Sequence, residues 1–138
     1  MLGRGRIEHI RECTVASEGR YSHDYEGYEV KTSDHIFQVL IDNESSCCED
    51  FGYAITEDNP EVFVGANLLK VELTDTENSK FEATGDVPTD FDCGGVQFVD
   101  FVTDIGVFQV AVFNDHNGYY GHDIKFVVDS EEIHTDVL

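Results

Sequence analysis

Hydrophobic and polar residues alternate along much of this chain, and such alternation is typical of β-strands with one buried face. Residues 35–42 differ because they are apolar on both faces, which predicts a central strand. Alternation or short apolar runs predict the remaining strands at 7–14, 28–32, 69–74, 80–83, 96–103, 107–113 and 124–128. We therefore expect seven or eight strands and no long helix.

One short helix is predicted near residues 59–65. Asn59 suits the N-cap, Pro60 the first helical position, and Glu61 complements the helix dipole. The fold class is thus mainly β with a minor α element: a single antiparallel, curled sheet of about six to eight strands. We expect one domain over residues 1–138, with flexible termini at 1–4 and 130–138.

The loop at 114–122 separates two predicted strands and contains Asn117-Gly118, a strong local signal for a β-hairpin. It also holds two histidines, two tyrosines and a second asparagine, more than a turn requires. This surplus makes the loop a candidate site.

The apolar residues of this hairpin predict its register. A two-residue Asn-Gly turn would mix polar and apolar residues on both faces, whereas a shift of one residue gives one fully apolar face. The shifted register places Val110 opposite Phe126 and makes the last three strands a meander. It also predicts a longer loop, with Asn114 and His122 at the rim of the apolar face as braces.

A second unusual stretch lies at residues 43–53 and contains adjacent cysteines. It is too polar for a core strand and too rich in Ser, Asn and Gly for a firm helix, so we expect a loop. One interpretation is a turn with a buried thiol. The other is a loop that contacts a ligand or partner together with the 114–122 loop. The contact candidates in the two loops are Cys47, Cys48, Glu49, Asp50, Tyr53, His116, Asn117, Tyr119 and Tyr120.

The net charge of −21 changes the functional picture. Such a field repels nucleic acid and anionic membranes and attracts basic surfaces. Three interpretations remain open: solubility or adaptation to high salt, docking on a basic protein as a DNA mimic, and divalent cation binding. The last has the least support because no Asp-x-Asp-x-Asp-Gly ladder is present. The predicted acidic face comprises Asp75, Glu77, Asp86, Asp90, Asp92, Asp100 and Asp104.

Cofactor and enzyme signatures are weak. There is no Cys-x-x-Cys pair, no phosphate-binding glycine loop and no G-x-S-x-G, and the His and Cys spacing fits no usual zinc site. The many acids would raise a thiol pKa, which argues against a reactive thiolate. We therefore expect no catalytic residues, no metal and no cofactor. The absence of a secretory apolar segment predicts reduced thiols in a cytoplasm, and no run is long enough to span a membrane.

Three blocks carry a family resemblance: NESSCCEDFGY at 43–53, VGA before LKVELTDT at 64–76, and QVAVFNDHNGYYGH at 109–122. Together they resemble DUF7448, a family of small domains of unknown function found in bacteriophages, bacteria and some archaea. The resemblance covers roughly residues 28–128 and implies a small, phage-associated cytoplasmic protein. It supplies no catalytic residues.

The function we expect is that of an acidic interaction protein. It would bind and inhibit a basic nucleic-acid-handling host protein, such as a CRISPR effector or another defence nuclease, without touching nucleic acid or membrane itself. One alternative is a nucleotide-like ligand bound between the 45–53 and 114–122 loops. Another is a structural domain whose acidity serves solubility or high salt. The sequence does not predict the oligomeric state.

Overall fold

A computed structural model describes residues 5–16, 24–43, 49–56, 59–74, 93–116 and 122–138. Nine strands lie within these residues. They are β1 (Ile7–Ala16), β2 (Asp24–Thr32), β3 (Ile36–Asp42), β4 (Glu49–Ile55), β5 (Leu68–Thr74), β6 (Cys93–Thr103), β7 (Gly106–His116), β8 (Asp123–Val128) and β9 (Glu131–Val137).

The strands form two antiparallel sheets. Sheet I has the order β1-β2-β3-β8-β9, and sheet II has the order β4-β7-β6-β5. The mainly β, antiparallel class is therefore confirmed, and β3 is the central strand of sheet I as predicted. The prediction of a single curled sheet is wrong, because the chain crosses between sheets after β3 and again after β7.

One hydrophobic core joins the two sheets. Phe37, Ile41 and Phe126 from sheet I share a buried cluster with Phe101 and Phe108 from sheet II. Phe37 contacts Phe101 edge-on across the interface, with ring centroids 6.0 Å apart. Because each sheet alone has only one apolar face to bury, this face-to-face packing is what stabilises the pair.

The predicted hairpin between β7 and β8 is not formed, and neither is the meander of the last three strands. Both edges of β7 are already paired, with β4 and β6, whereas β8 pairs with β3 and β9. The apolar residues that we assigned to one hairpin face nevertheless lie in one cluster. Val110 and Phe126 both belong to the core, but they come from different sheets instead of lying side by side.

The loop predicted at 43–53 is shorter than expected, because Glu49–Ile55 forms β4 against β7. Phe51, Tyr53 and Ile55 alternate with Gly52 and Ala54 and pack against the core. Large apolar residues recur at every second position from 51 to 55, but the polar residues before them led us to predict a loop.

Three smaller predictions have different outcomes. The short helix is a 3₁₀ segment, Pro60–Phe63, and Asn59 makes no side-chain cap there. The acidic tail predicted at 130–138 is largely the strand β9, paired with β8. The strand predicted at 80–83 and the terminus at 1–4 lie outside the described residues.

Gly27 lies where β2 and β3 approach closely. A Cβ atom at this position would lie 1.8 Å from the Val39 carbonyl oxygen and 2.9 Å from its carbonyl carbon. Both strands are interior strands of sheet I, so neither can move aside freely. Only glycine fits this position without a backbone shift.

The β8–β9 hairpin turns through Asp129 and Ser130, which both have positive φ, 52° and 69°. Two such residues form a type I′ turn, which matches the strand twist but usually uses Asn-Gly. Asp129 compensates through its side chain, which accepts hydrogen bonds from Ile36 N at 2.8 Å and pairs with His35 Nδ1 at 2.6 Å. These contacts fasten the turn to the start of β3.

Candidate functional site

The strand ends that flank both candidate loops lie at one end of the two-sheet structure, which we call the crossover end. It contains the C-terminal ends of β1, β3, β5, β7 and β9 and the N-terminal ends of β2, β4, β6 and β8. The segments 17–23, 44–48, 75–92 and 117–121 each connect two of these strand ends. Both crossings between the sheets therefore occur here.

The register of sheet II brings the two candidate loops to neighbouring strand ends. Glu49, which follows the adjacent cysteines, lies opposite His116, which precedes Asn117. Cys93 lies opposite His116 on the other side of β7. The expectation that the two loops are neighbours thus has support at their described ends.

Asn114 and His122 anchor the two sheets to each other at this end. Both are buried, and both bind the Leu138 carbonyl oxygen, Asn114 through Nδ2 at 3.0 Å and His122 through its backbone N–H at 3.0 Å. His122 Nδ1 is 2.6 Å from the Asp42 carbonyl oxygen, which accepts a hydrogen bond from the ring. The ring stacks on Phe51 with centroids 4.1 Å apart. These contacts hold strand ends together and leave neither side chain exposed for a ligand.

Tyr53 is held by sheet I rather than projecting into an open pocket. Its ring packs edge-on against Tyr28 with centroids 5.5 Å apart, and its hydroxyl donates a hydrogen bond to Glu12 Oε1 at 3.1 Å. Burial, followed by the contact with Glu12, raises the pKa of Tyr53 to about 12.

The other predicted contact residues are described only in part. Cys47, Cys48, Asn117, Tyr119 and Tyr120 lie outside the described residues, in segments that connect strand ends at the crossover end. For Glu49, Asp50 and His116 the structure gives the strand positions.

The crossover end is strongly acidic. The terminal two residues of the nine strands at this end include no Lys or Arg and seven acids: Asp24, Asp42, Glu49, Asp50, Asp115, Asp123 and Asp136. The terminal two residues at the opposite end include Lys31 and three acids: Glu8, Glu131 and Glu132. Charge is therefore distributed unequally along the strand axis, which the linear sequence did not indicate.

Two pairs of acids lie directly opposite each other in sheet II. Asp50 pairs in register with Asp115, and Glu72 pairs with Asp100. Like charges at directly opposed positions destabilise a sheet. Lys70 neutralises Glu72 at 2.6 Å, so the like-charge cost concerns the Asp50–Asp115 position.

The predicted acidic face is only partly described. Asp75, Glu77, Asp86, Asp90 and Asp92 lie outside the described residues, in the segment that joins β5 to β6 at the crossover end. Asp104 lies at the opposite end, where it binds the backbone and side chain of Asn67 at 3.1 and 2.9 Å. Asp100 accepts a hydrogen bond from Gln109 Nε2 at 2.7 Å. Asp104 is therefore a turn brace, and Asp100 is the one described residue of the predicted acidic face that lies on a strand of sheet II.

The described lysines and Arg11 are already paired with acids. Lys31 contacts Glu8, Lys70 contacts Glu72 and Lys125 contacts Glu132, at 3.3, 2.6 and 2.8 Å respectively. The described residues contain 19 acids and five Lys or Arg, so most carboxylates have no cation to neutralise them.

Glu29, which is buried on the outer face of sheet I, makes hydrogen bonds and an ion pair with three neighbouring side chains. Its carboxylate binds His9 Nε2 at 2.8 Å, Gln38 Nε2 at 3.0 Å, and Arg11 at 3.1 and 3.2 Å. Burial alone would raise the pKa of Glu29, but the hydrogen bonds from His9, Gln38 and Arg11 outweigh it and hold that pKa below its ordinary value. Glu29 therefore stays ionised at neutral pH.

The described residues show neither a metal cluster nor a membrane helix. No group of three or more His, Cys, Asp or Glu within them is arranged to hold a metal ion. In the same residues, no helix is long and apolar enough to cross a membrane.

Comparison with models of known protein families identifies the family of the chain. A model described as a domain of unknown function, DUF7448, matches residues 2–126. The chain belongs to this family. The DUF7448 match includes β1–β7 and both candidate loops and ends within β8, so β9 lies beyond it. The resemblance seen in the sequence blocks is therefore confirmed. Neither the curated proteins nor the solved structures contain a match to this DUF7448 chain.

Proposed function

We propose that this DUF7448 protein is an interaction protein whose crossover end binds a basic, nucleic-acid-handling protein. The observation that carries the proposal is the set of seven strand-end acids with no Lys or Arg among them. Of these acids Asp24, Asp123 and Asp136 are exposed, at the ends of β2, β8 and β9, and neighbouring strands of a sheet are about 4.8 Å apart. A nucleic acid backbone presents a comparable row, with one charge per about 3.4 Å along each strand.

The cost of this arrangement to the fold supports a functional explanation. Asp50 lies opposite Asp115 in the register of β4 and β7, and like charges at opposed positions destabilise a sheet. An acidic protein selected only for solubility would gain as much from carboxylates spread over the whole surface. Concentration at one end creates a directed field, which steers a basic partner toward that end.

The partners we propose are host defence nucleases, CRISPR effectors among them, met in the cytoplasm of the host of a phage. Such proteins hold nucleic acid in positively charged channels. Occupying such a channel would exclude the nucleic acid and inhibit the enzyme without any chemistry by this protein.

Charge-neutralising variants test the proposal. The first carries Asp24→Asn, Asp50→Asn and Asp115→Asn at the crossover end. The matched control carries Asp34→Asn, Glu61→Gln and Glu131→Gln at the opposite end, with the same change in net charge. Binding to a panel of purified defence nucleases is measured by interferometry at low and at moderate salt. We expect the first variant to lose at least tenfold in affinity and the control less than threefold. Equal losses, or affinity that salt does not change, would show that the crossover end is not the interface.

A second candidate function is the binding of a nucleotide-like ligand at the same end. The pairing of Glu49 with His116 favours it, because it places the ends of both candidate loops side by side. Tyr53 is a poor stacking residue in this case, since its ring and hydroxyl already have protein partners. Thermal shift against nucleotides and signalling dinucleotides separates the two functions: a saturable shift favours the ligand, and no shift favours the interaction protein.

A further inference from the structure

A cleft between the two sheets differs in its chemistry from the rest of this acidic protein. It has a volume of about 410 Å³, within the range of about 300–1,000 Å³ typical of small-ligand sites. Residues of β5 and β6 in sheet II and of β9 in sheet I line it: Leu73, Thr74, Gln97, Ile133 and His134. None of these is Asp, Glu, Lys or Arg, although the chain has a net charge of −21.

The strand registers turn His134 and Gln97 toward the space between the sheets. His134 is paired with Phe126, and Gln97 is paired with Val112. Both partners belong to the core that joins the sheets. Because directly paired residues lie on the same face of a sheet, His134 faces sheet II and Gln97 faces sheet I. The cleft therefore has a polar side chain on each of its walls.

A β-bulge in β9 adds Ile133 to the same cleft. The register passes from the pair Phe126 and His134 to the pair Val127 and Glu132, so Ile133 is the extra residue. Consecutive residues of a regular strand point to opposite faces, whereas Ile133 and His134 both line the cleft. Bulges are frequent at sheet edges and beside active sites, where they redirect a side chain. Ile133 thereby places an apolar side chain next to the imidazole.

His134 has a buried ring nitrogen that the fold leaves unpaired. Its Nε2 has no hydrogen-bond partner in the described part of the chain. An unpaired buried polar atom is destabilising and therefore rare in native proteins. A phenylalanine would fill a similar space without this cost. Because the terminal torsion of a histidine is broad, a small ring rotation presents Nε2 to a molecule in the cleft.

Gln97 offers a second polar group, and its orientation is fixed. Its Nε2 donates hydrogen bonds to the carbonyl oxygens of Thr74 at 3.2 Å and of Phe98 at 3.0 Å. Both N–H donors of the amide are thereby used. The group that Gln97 can offer to a ligand is its acceptor, Oε1.

We propose that this cleft binds a small neutral molecule that carries an amide or lactam group on a hydrocarbon ring. The ligand N–H donates to Gln97 Oε1, and the ligand carbonyl accepts from His134 Nε2–H of the neutral imidazole. The ring packs against Leu73 and Ile133. A charged ligand would lose its hydration without gaining a counter-ion, and the negative field of the chain opposes anions further. The inference goes beyond the proposed function, since none of the strand-end acids lines this cleft.

Three probes with the same ring test this chemistry on the wild type. They are benzamide, methyl benzoate and benzoate, titrated into isotopically labelled protein and followed by NMR. Methyl benzoate keeps the carbonyl but lacks the N–H, and benzoate replaces the amide by a charge. We expect benzamide to shift the resonances of Gln97, Ile133 and His134 until they saturate. The other two probes should bind about fivefold more weakly or worse, the effect of one lost hydrogen bond.

Variants separate a ligand site from a purely structural histidine. His134→Phe keeps an aromatic ring but removes Nε2. Thr135→Val is the matched control, because Thr135 is paired with Lys125 and faces the other side of the sheet. We expect His134→Phe to lose about fivefold or more in benzamide affinity, with a Tm at least as high as that of the wild type. The control should keep its affinity, and Ile133→Trp, which fills the cleft, should abolish binding.

Three results would overturn the proposal. They are no saturable shift with benzamide, equal affinity for benzamide and methyl benzoate, or unchanged benzamide affinity in His134→Phe. The first two use the wild type, so they decide the matter even if a variant does not fold. The nuclease-binding test changes none of these residues, so the cleft and the proposed function fail or succeed separately.

Discussion

Substituting Gly27 by alanine should destabilise sheet I severely. The added Cβ would lie 1.8 Å from the Val39 carbonyl oxygen, whereas real Cβ contacts essentially never fall below 3.0 Å. The two backbones must therefore separate by at least 1.2 Å, the difference between these distances. A ladder hydrogen bond of about 2.9 Å cannot survive such a shift.

The magnitude follows from the bonds that this separation breaks. Two ladder bonds next to Gly27 contribute about 1 kcal/mol each, and burying their groups without partners adds about 1 kcal/mol more. We expect a loss of roughly 3 kcal/mol, a large part of the 5–15 kcal/mol typical of a domain. For a chain of this length that corresponds to a fall in Tm of about 10 °C.

Gly95→Ala is the matched control, because among the described residues a Cβ there would meet Leu138 Cδ2 alone, at an ordinary 3.9 Å. Its stability should change by less than about 1 kcal/mol. Urea unfolding followed by far-ultraviolet circular dichroism measures both variants, since the chain has no tryptophan. If Gly27→Ala came within 0.5 kcal/mol of the control, the reasoning from the close approach of β2 and β3 would be wrong.

Three further predictions concern the crossover end, the Glu29 network and the β8–β9 turn. His122→Ala should lose about 2–4 kcal/mol in urea unfolding, because it removes a stacked, hydrogen-bonded ring from a buried position, and His122→Phe should lose less because the ring remains. Losses of equal size would mean that the Phe51 stacking contributes nothing. Glu29→Gln should be less stable than the wild type at neutral pH. Because the Glu29 pKa is lowered in the fold, its contribution is present above the ordinary value of 4.5 and is lost as the pH falls below it, so the two Tm curves should converge there. Curves that stay parallel to the lowest pH at which both proteins fold would refute this. Ser130→Gly should raise stability by about 0.5–1 kcal/mol, because glycine adopts the φ of 69° without strain. A fall in Tm would mean that the Ser130 conformation carries no strain.

The sequence pattern predicted most strands because alternation depends only on which face is buried. Residues 35–42 identified the central strand of sheet I, and the apolar residues of β7 and β8 were correctly placed in one core. Alternation cannot show which strands are neighbours. The Asn117-Gly118 signal is local, so it could not reveal that both edges of β7 were occupied by β4 and β6.

The candidate site was predicted as two loops and a scattered acidic face. In the structure, the directions of the strands bring the ends of both loops to the same end of the two sheets. The sequence does not show these directions. Asp24, Asp42, Asp115, Asp123 and Asp136 were not predicted as site residues, because in the sequence each is an isolated acid beside an apolar run. They share a property only in the fold, where each lies at a strand end on the same side. An acid at the boundary of a predicted strand is the signal that would have indicated Asp42 and Asp123, whereas Asp24 and Asp136 lie away from every predicted strand end.

Competition with duplex DNA tests the central claim most directly. A defence nuclease from the binding panel is loaded with a fluorescent duplex, and the protein is added at increasing concentration. We predict displacement by the wild type and by the Asp34, Glu61 and Glu131 control, and at least tenfold weaker displacement by the Asp24, Asp50 and Asp115 variant. A duplex that stays bound while the protein binds the nuclease, or that is displaced equally well by both variants, would contradict an acidic crossover end that takes the place of nucleic acid.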